Sequence, residues 1–398
     1  MAIRNFHLPI SLTASGSPRQ GTFAVLFSLI VLPRSLLVTV IPLQAHALLG
    51  DAQKVSVLYF AVSLAGVCGS LAIPWLVHRL RRRWVFSLGA VSMILAAALL
   101  GSSMLAGLVV GMVAQVFAIA SLEITLNLYV MDHIPRREIS RFEPRRVFVT
   151  AGVFSLGPWV GVKMQTGLAD WTPFLAAALA AAAMLAWFWY LRLTENKAVS
   201  PMKRPPPQPL NYLPRFFGQP RLRLSWVLAV ARSSWWSMFF IYTPIYAVNS
   251  GLGGEIGGAL VSLGSASLFV VPVWAAIGRR FGMRRLLVGG YVMGGLATIT
   301  VAAVAGWPWL GATVLLLAAF AVGAIDGAGN VPFLRSVRPL ERPEMTTVFA
   351  TYRDAAQLLP PGIFSVVLKV FELPAVFVLG GGALVSMAYY ARFIPRRF

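Results

Sequence analysis

The sequence has little of what an enzyme or a metal protein needs. It contains one cysteine, Cys68, so it can form neither an internal disulfide nor a cluster of thiolate ligands. Its histidines, His7, His46, His78 and His133, lie far apart without paired spacing, which argues against an imidazole metal site. The sequence also lacks a phosphate-binding loop, a nucleophile with its base and a dinucleotide motif. We therefore expect no metal, no cofactor and no enzymatic activity.

Charge is also scarce. Only 12% of the 398 residues are charged and 58% are apolar, whereas roughly 25% of the residues in an ordinary soluble domain are charged. Long apolar runs recur along the whole chain, and many approach the ~20 residues that cross the hydrocarbon core of a bilayer. This composition excludes a typical soluble protein and predicts an all-α polytopic membrane protein.

Breaks between the apolar runs divide the chain into two sets of six predicted spans and a linker. We number the spans 1 to 12: residues 22–46, 55–77, 85–104, 107–131, 147–166, 172–191, 224–248, 257–277, 286–305, 309–334, 345–370 and 374–393. Residues 192–223 are rich in proline and cations, a composition typical of a linker. The predicted domains are an N-terminal bundle (residues 1–191), the linker (192–223) and a C-terminal bundle (224–398).

The net charge of +21 is concentrated in alternate loops. The basic clusters are residues 79–83, 136–146, the linker, 279–285, 335–342 and 392–397, whereas the opposite loops are nearly free of cations apart from Lys54. By the positive-inside rule, both termini and the linker are expected on the cytoplasmic side of a bacterial inner membrane. Topology therefore accounts for the charge, and we expect no nucleic-acid partner.

The two halves repeat each other. Spans 1 and 7 begin at residues 22 and 224, an offset of 202, and the basic segment 78–83 corresponds to the segment 279–284. Phe117-Ala118-Ile119, followed by Glu123 and Asn127, corresponds to Phe320-Ala321-Val322, followed by Asp326 and Asn330. We therefore predict two pseudo-symmetric six-helix bundles with twelve transmembrane helices.

Two six-helix halves, a linker and a basic loop after the second span of each half resemble the major facilitator superfamily over nearly the whole chain. The family's loop pattern is Gly-x-Leu-x-Asp-Arg-x-Gly-Arg-Arg. Residues 74–83 match it at Leu76 and at three arginines, but depart from it where the family has Gly, Asp and Gly. The resemblance implies gating contacts between the halves, made by Arg79, Arg82, Arg83, Arg280 and Arg284.

Span 5 carries a second resemblance. Gly157-Pro158-Trp159-Val160-Gly161 is similar to the core of the family's antiporter motif, without its upstream glycines and its second final glycine. The same Gly-Pro pair is typical of a simple kink in a membrane helix. The resemblance favours export by antiport, and the kink is the alternative.

Acids and arginines lie well inside the predicted spans, where each costs about 2.5 to 3.5 kcal/mol at a helix centre and therefore needs a cavity or a partner. They are Glu123, Asp326, Asp354, Arg34, Arg232 and Arg353. In the superfamily, helices 1, 4, 7 and 10 line the central cavity, so the resemblance places Arg34, Glu123, Arg232 and Asp326 there. The alternative is a set of buried ion pairs, such as Asp326 with Arg353, that only stabilise packing or latch one state. Arg353 and Asp354 are the main candidates for that role.

Polar and aromatic neighbours complete the predicted site. Asn127 and Asn330 each follow an acid by four residues and are expected on the same helix face as that acid. Trp236 and Phe240 share a face with Arg232 and suit a stacking wall for an organic solute. The alternative for each aromatic residue is ordinary packing against lipid or protein.

These features predict a secondary transporter that moves a small organic solute across the membrane by alternating access. We expect proton coupling at Glu123 and Asp326, because burial favours a protonated carboxyl group and an approaching arginine favours an ionised one. Export by antiport is the main interpretation. Uptake of an organic anion or nutrient by symport, and a non-transporting scaffold or sensor, are the alternatives. The expected partners are the solute, protons and lipid, and we expect a monomer.

Overall fold

The computed structural model describes residues 20–133, 136–191, 209–338 and 341–395. All regular secondary structure within these ranges is helical, which confirms the predicted all-α class. Most connections between long helices are short, as expected for antiparallel neighbours in a bundle.

The first six helices correspond to predicted spans 1 to 6. They are α1 (Gln20–Leu49), α2 (Ala52–Arg79), α3 (Arg82–Leu100), α4 (Leu105–His133), α5 (Arg136–Gly167) and α6 (Thr172–Tyr190). Between α1 and α2, Gly50 adopts a φ of 70°, and the Asp51 side chain accepts a hydrogen bond of 2.9 Å from the backbone N–H of Gln53. These residues end one helix and cap the next. α5 begins well before residue 147, because charged residues extend a helix beyond its apolar part.

The remaining helices differ more from the prediction. They are α7 (Pro209–Phe217), α8 (Pro220–Asn249), α9 (Gly254–Ala266), α10 (Val271–Phe281), α11 (Met283–Ala303), α12 (Pro308–Ala328), α13 (Val331–Ser336), α14 (Arg342–Ala350), α15 (Tyr352–Val367) and α16 (Pro374–Ala391). Spans 8, 10 and 11 were each predicted as one helix, and each consists of two. α7 lies in the predicted linker. The predicted domain boundaries at residues 191 and 224 remain a prediction, because residues 192–208 lie outside the described ranges.

The breaks have local causes. A 3-10 turn, Ser267–Val270, joins α9 to α10, and Pro272 in the first turn of α10 has no N–H for an α-helical hydrogen bond. Gly329 ends α12 with a φ of 51°, a conformation that favours glycine. A membrane helix tolerates such breaks where the freed backbone groups face protein or a water-filled cavity.

Nine segments of the described chain are long and apolar enough to cross a membrane. The helices α5, α8 and α15 are not among them. α5 includes the charged residues 136–146, α8 is rich in serine, tryptophan and tyrosine, and α15 has only 16 residues. All three pack inside the same bundle, so the count of twelve spans remains a prediction that the packing supports.

Close helix crossings depend on glycines. Where α5 crosses α1, a Cβ on Gly157 would collide with the Ser35 side chain, and one on Gly161 would collide with the Leu36 carbonyl group. The glycines of the span 5 motif therefore allow the two backbones to approach closely. In the second half, Gly295 of α11 and Gly381 of α16 form a similar crossing.

The short helix α7 docks on the second half. Phe216 is fully buried and stacks on Phe333, which in turn stacks on Phe349 of α14. The Arg215 Nη2 atom lies 2.6 Å from the Glu341 Oε1 atom, just before α14. The last part of the predicted linker is therefore an ordered element with an apolar and a charged contact.

Glu341 is nearly buried in this contact. Burial alone would raise the pKa of its carboxyl group, but hydrogen bonds from Arg215 and Gln219 outweigh burial and lower the pKa. The carboxyl group is therefore held in its charged form, and α7 is tied to the start of α14 by an ion pair.

Candidate functional site

One intramembrane ion pair lies between α1 and α4. The Arg34 Nη1 atom is 3.2 Å from the Glu123 Oε1 atom. The side chains are 38% and 39% exposed, respectively. Residues 26–46 of α1 are otherwise covered by protein, with none in the exposed class, so the open side of Arg34 faces an internal space rather than lipid. A charged pair in such a place needs water or a polar ligand around it.

A second pair lies between α8 and α12. The Arg232 Nε atom is 3.3 Å from the Asp326 Oδ1 atom, and the Trp236 Nε1–H group donates a 2.8 Å hydrogen bond to Oδ2. The side chains of this pair are only 10% and 18% exposed. α12 ends two residues after Asp326, and the negative end of a helix dipole disfavours a carboxylate. Arg232 and Trp236 therefore stabilise the ionised form of Asp326.

A row of aromatic rings connects the two pairs. The Arg34 guanidinium lies 5.9 Å from the centre of the Phe154 ring on α5. The ring centres of Phe154 and Phe240 are 6.0 Å apart. The Phe240 ring stacks on the Trp236 ring, with 5.7 Å between the ring centres and 27° between the ring planes. Trp236 then binds Asp326. We call Phe154, Phe240 and Trp236 the aromatic bridge, because these residues extend from one half of the protein to the other.

The two groups of helices, α1–α6 and α8–α16, meet at one end of the bundle. This end, where α1 and α8 end and α2 and α9 begin, is called the closed end below. Polar contacts across it include His46 with Asn249 (2.8 Å), Ser56 with Tyr242 (2.7 Å) and Lys163 with Glu255 (3.0 Å). Several contacts between side chains thus hold this end together.

The span 5 motif also lies on this interface. A Cβ on Gly258 of α9 would be 3.1 Å from the Pro158 carbonyl oxygen of α5, and the Trp159 backbone N–H group donates a 2.9 Å hydrogen bond to the Ser262 hydroxyl group. The motif therefore packs α5 against α1 on one side and against α9 on the other.

The opposite end is arranged differently. Over the described residues, the main helix pairs across the two groups are α5 with α9, α2 with α15, and α1 with α8 and α9. The helices that carry Glu123 and Asp326, α4 and α12, belong to none of these pairs. The space beside Arg34 and Glu123 therefore lies between the groups, on the side away from the closed end.

Some predicted site residues are not brought together. The predicted shared face of Asp326 and Asn330 is wrong, because α12 stops at Gly329 and Asn330 is an exposed residue before α13. Asn127 is on the same helix as Glu123, but its Oδ1 atom accepts a 3.3 Å hydrogen bond from Arg146.

The alternative pairing of Asp326 with Arg353 is also wrong. Asp326 binds Arg232 instead, and the Arg353 guanidinium lies 5.8 Å from the centre of the Tyr352 ring. Asp354 forms no ion pair with any residue that the structure describes.

The predicted gating arginines lie at the end of the bundle opposite the closed end, which carries the basic loops and is called the basic end below. Arg79, Arg83 and Arg280 each contact an aromatic ring on their own segment, at 5.4, 5.8 and 5.4 Å. Within the described part of the chain, these three arginines and Arg284 form no ion pair. Arg82 differs from them, because it does interact with another group. Their gating role remains a prediction for the state in which the basic ends meet.

Sequence reasoning missed three residues near the site. Phe154 completes the aromatic bridge, Tyr352 lies 5.9 Å from the Arg232 guanidinium, and Arg146 binds Asn127. Phe154 could have been noticed as an aromatic residue one turn before Pro158. Tyr352 begins α15 and Arg146 lies in the charged first part of α5, and neither residue is inside an apolar run that would draw attention to it.

A bundle of long apolar helices with charge pairs inside it is typical of a polytopic membrane transporter. The sequence model of the Major Facilitator Superfamily matches residues 23–361. The chain belongs to this superfamily. It is an integral multi-pass membrane protein and a secondary transporter for a small solute, not an enzyme.

Solved structures share the fold at low sequence identity. Peptide transporter POT in complex with sulfate has a TM-score of 0.74 at 14% identity, over 96% of this chain and 95% of that chain. Nucleoside transporter NupG has a TM-score of 0.73 at 14% identity, over 94% and 98%. A POT family transporter in complex with 5-aminolevulinic acid has a TM-score of 0.72 at 14% identity, over 96% and 97%. Comparison with curated proteins gave no match.

Proposed function

We propose that the protein exports a small organic solute across a bacterial inner membrane in exchange for protons, as a monomer that works by alternating access. One observation carries this proposal: each group of helices has an acid paired with an arginine inside the bundle. Buried charge inside a membrane protein is costly, and it is typical of proton and solute pathways.

The two pairs suit proton exchange. The ionised form of Asp326 depends on Arg232 and Trp236, which belong to a neighbouring helix. A movement of α8 relative to α12 that lengthens these contacts leaves a buried carboxylate without partners, and such a group takes up a proton. Glu123 is more exposed, and withdrawal of Arg34 leaves its carboxylate without its partner in the same way. When such helix movements within each half accompany rocking of the two halves, protonation is coupled to the side of the membrane that is open.

The distribution of cations supports the orientation. The basic loops after α2 and α10 lie at the end opposite the closed end. The positive-inside rule places that end, both termini and the linker in the cytoplasm, so the structure corresponds to an inward-open state. Export is favoured by the antiporter-like segment on α5, which lies at the interface where the halves must separate. The peptide and nucleoside transporters with this fold support an organic solute.

Proton movement on addition of a solute tests the proposal. Purified protein is reconstituted in liposomes that contain a pH-sensitive dye, and a broad panel of metabolites and drugs is added. We expect at least one solute to drive protons in the direction opposite to its own movement. Proton movement in the same direction as the solute would show symport, and the proposed export by antiport would then be wrong. No response to any solute, by protein that is shown to be folded, would contradict transport and favour a scaffold or sensor.

A further inference from the structure

The charge pair on the first half has unused bonding capacity. Arg34 and Glu123 share a single contact between Nη1 and Oε1. Among the described residues, the other guanidinium nitrogens of Arg34 and the Oε2 atom of Glu123 have no hydrogen-bond partner. Both side chains are more than one third exposed to the internal space. The pair therefore offers donors and an acceptor to a ligand at the same place.

The charges of the pair restrict the ligand. A ligand with only a carboxylate gains from Arg34 but meets the negative charge of Glu123 at close range. A ligand with only an ammonium group meets the opposite conflict with Arg34. A ligand that carries both groups close together satisfies both side chains at once. The geometry thus favours a zwitterionic head group.

The second pair is less available for such a head group. Asp326 already uses one carboxylate oxygen for Arg232 and the other for Trp236, and the pair is largely buried. The surface that continues from Arg34 toward this pair is aromatic, formed by Phe154, Phe240 and the half-buried Trp236. Flat apolar groups stack favourably on such rings, in addition to the gain from burying their area.

We propose that the transported solute is a small aromatic zwitterion, whose carboxylate binds Arg34, whose ammonium group binds Glu123 and whose ring lies on the aromatic bridge. This assignment rests on the proposed transport function and gives it a substrate class. It also gives the bridge a role in coupling, because a ring on Phe154, Phe240 and Trp236 contacts both halves of the protein at once.

Calorimetric binding to the purified protein tests the substrate class. The probes are phenylalanine and tryptophan, the matching amines (phenethylamine and tryptamine), the matching acids (3-phenylpropionate and indole-3-propionate) and alanine. We expect at least one aromatic amino acid to bind about tenfold or more tightly than its amine, its acid and alanine, a factor that corresponds to about 1.4 kcal/mol. Equal or tighter binding of the amines, of the acids or of alanine, or no binding of either amino acid, would overturn the assignment.

Variants test the position of the ligand. Phe154→Leu removes a ring of the bridge and is expected to weaken binding of the aromatic amino acid about fivefold or more. Phe320→Leu is the matched control, because Phe320 is exposed on α12 and lies outside the aromatic bridge. Arg34→Gln should reduce the preference of the protein for the amino acid over the amine. Equal binding by the Phe154→Leu and Phe320→Leu variants would contradict the proposed position.

Flux separates this inference from the proposed function. If a non-aromatic or singly charged solute moves protons and aromatic amino acids do not, the protein is a proton-coupled transporter and the substrate class is wrong. Proton movement driven by an aromatic amino acid, and lost with Phe154→Leu but kept with Phe320→Leu, supports both.

Discussion

At the scale of single residues, the two charge pairs have the same composition but different surroundings. Arg34 and Glu123 are open to the internal space, whereas Arg232 and Asp326 are almost covered. Exposed pairs contribute little to stability, because water and salt screen them. Removing one member of a buried pair leaves a charge without a partner and costs far more. The pairs should therefore respond differently to the same substitution.

The first prediction compares Arg232→Gln with Arg34→Gln. We expect Arg232→Gln to lower the free energy of unfolding by about 3 to 5 kcal/mol, because it leaves Asp326 buried and unpaired. Arg34→Gln should cost less than about 1 kcal/mol. Unfolding of the purified proteins in detergent, measured by heat or denaturant, gives both values.

A double substitution provides the control for this comparison. Adding Asp326→Asn to Arg232→Gln removes the unpaired charge and should restore part of the lost stability. Equal losses for the two arginine variants, with no recovery in the double variant, would show that burial of the second pair does not matter energetically.

At the scale of helices, glycines decide which pairs approach closely. Gly161 of α5 faces the Leu36 carbonyl group of α1 with no room for a Cβ, whereas Gly289 of α11 has open space around it. The same glycine-to-alanine change therefore meets opposite conditions at these positions.

The second prediction uses this difference. Gly161→Ala should reduce stability by about 1 to 3 kcal/mol, because α1 and α5 must move apart. Gly289→Ala should be neutral or raise stability by up to about 1 kcal/mol, because alanine favours the helix. Thermal unfolding of the two variants side by side tests this, and a neutral Gly161→Ala would contradict the close crossing.

The third prediction concerns the docking of α7. The pKa of Glu341 is lowered, so its ion pair with Arg215 stabilises the docked helix at all pH values above the usual glutamate range and is lost as the pH falls through the lowered pKa. We expect hydrogen exchange in α7 to stay constant between about pH 7 and about pH 5, after correction for intrinsic exchange, and to rise in stronger acid. Glu341→Gln should show the faster exchange already at neutral pH. A wild-type transition near neutral pH would be inconsistent with a lowered pKa.

Much of the helical architecture could be predicted, because crossing hydrocarbon requires long apolar runs that are visible in the sequence. The breaks could not. Pro272 and Gly329 interrupt runs that stay apolar on both sides, so composition shows no boundary there. α7 was missed because a nine-residue amphipathic helix is stabilised by its tertiary contacts rather than by its own sequence.

The site was predictable only in part, for a similar reason. A charged residue inside an apolar run is energetically unfavourable in a membrane and therefore indicates a functional or structural role. For this reason Arg34, Glu123, Arg232 and Asp326 could be selected from the sequence. Which charges form pairs depends on the rotation of each helix and on where it ends. That is why Arg353 was considered as a partner of Asp326, and why Phe154 was missed.

At the scale of the whole molecule, the orientation in the membrane decides which end is open to the cytoplasm. The fourth prediction is that reporter fusions after Arg83, near Gln208 and at the C-terminus all report the cytoplasm. Fusions in the loop near Gly50 serve as the periplasmic control. One periplasmic result among the first three would contradict the six-plus-six topology and the assignment of an inward-open state.

The central claim is that Glu123 and Asp326 couple proton movement to solute movement. The two acids lie one in each half, and each is paired with an arginine on another helix of the same half, so that movement of that helix withdraws the arginine. A coupling acid is needed to use a proton gradient, but exchange of solute without a gradient does not require it to titrate.

The most direct measurement compares two fluxes in liposomes for Glu123→Gln, Asp326→Asn and the exposed loop variant Asp170→Asn: solute flux driven by a pH gradient, and solute exchange at equal pH. The account predicts that at least one of the two intramembrane variants loses driven flux and keeps exchange, while Asp170→Asn keeps both. Wild-type driven flux in both intramembrane variants would place the proton site elsewhere and contradict the account.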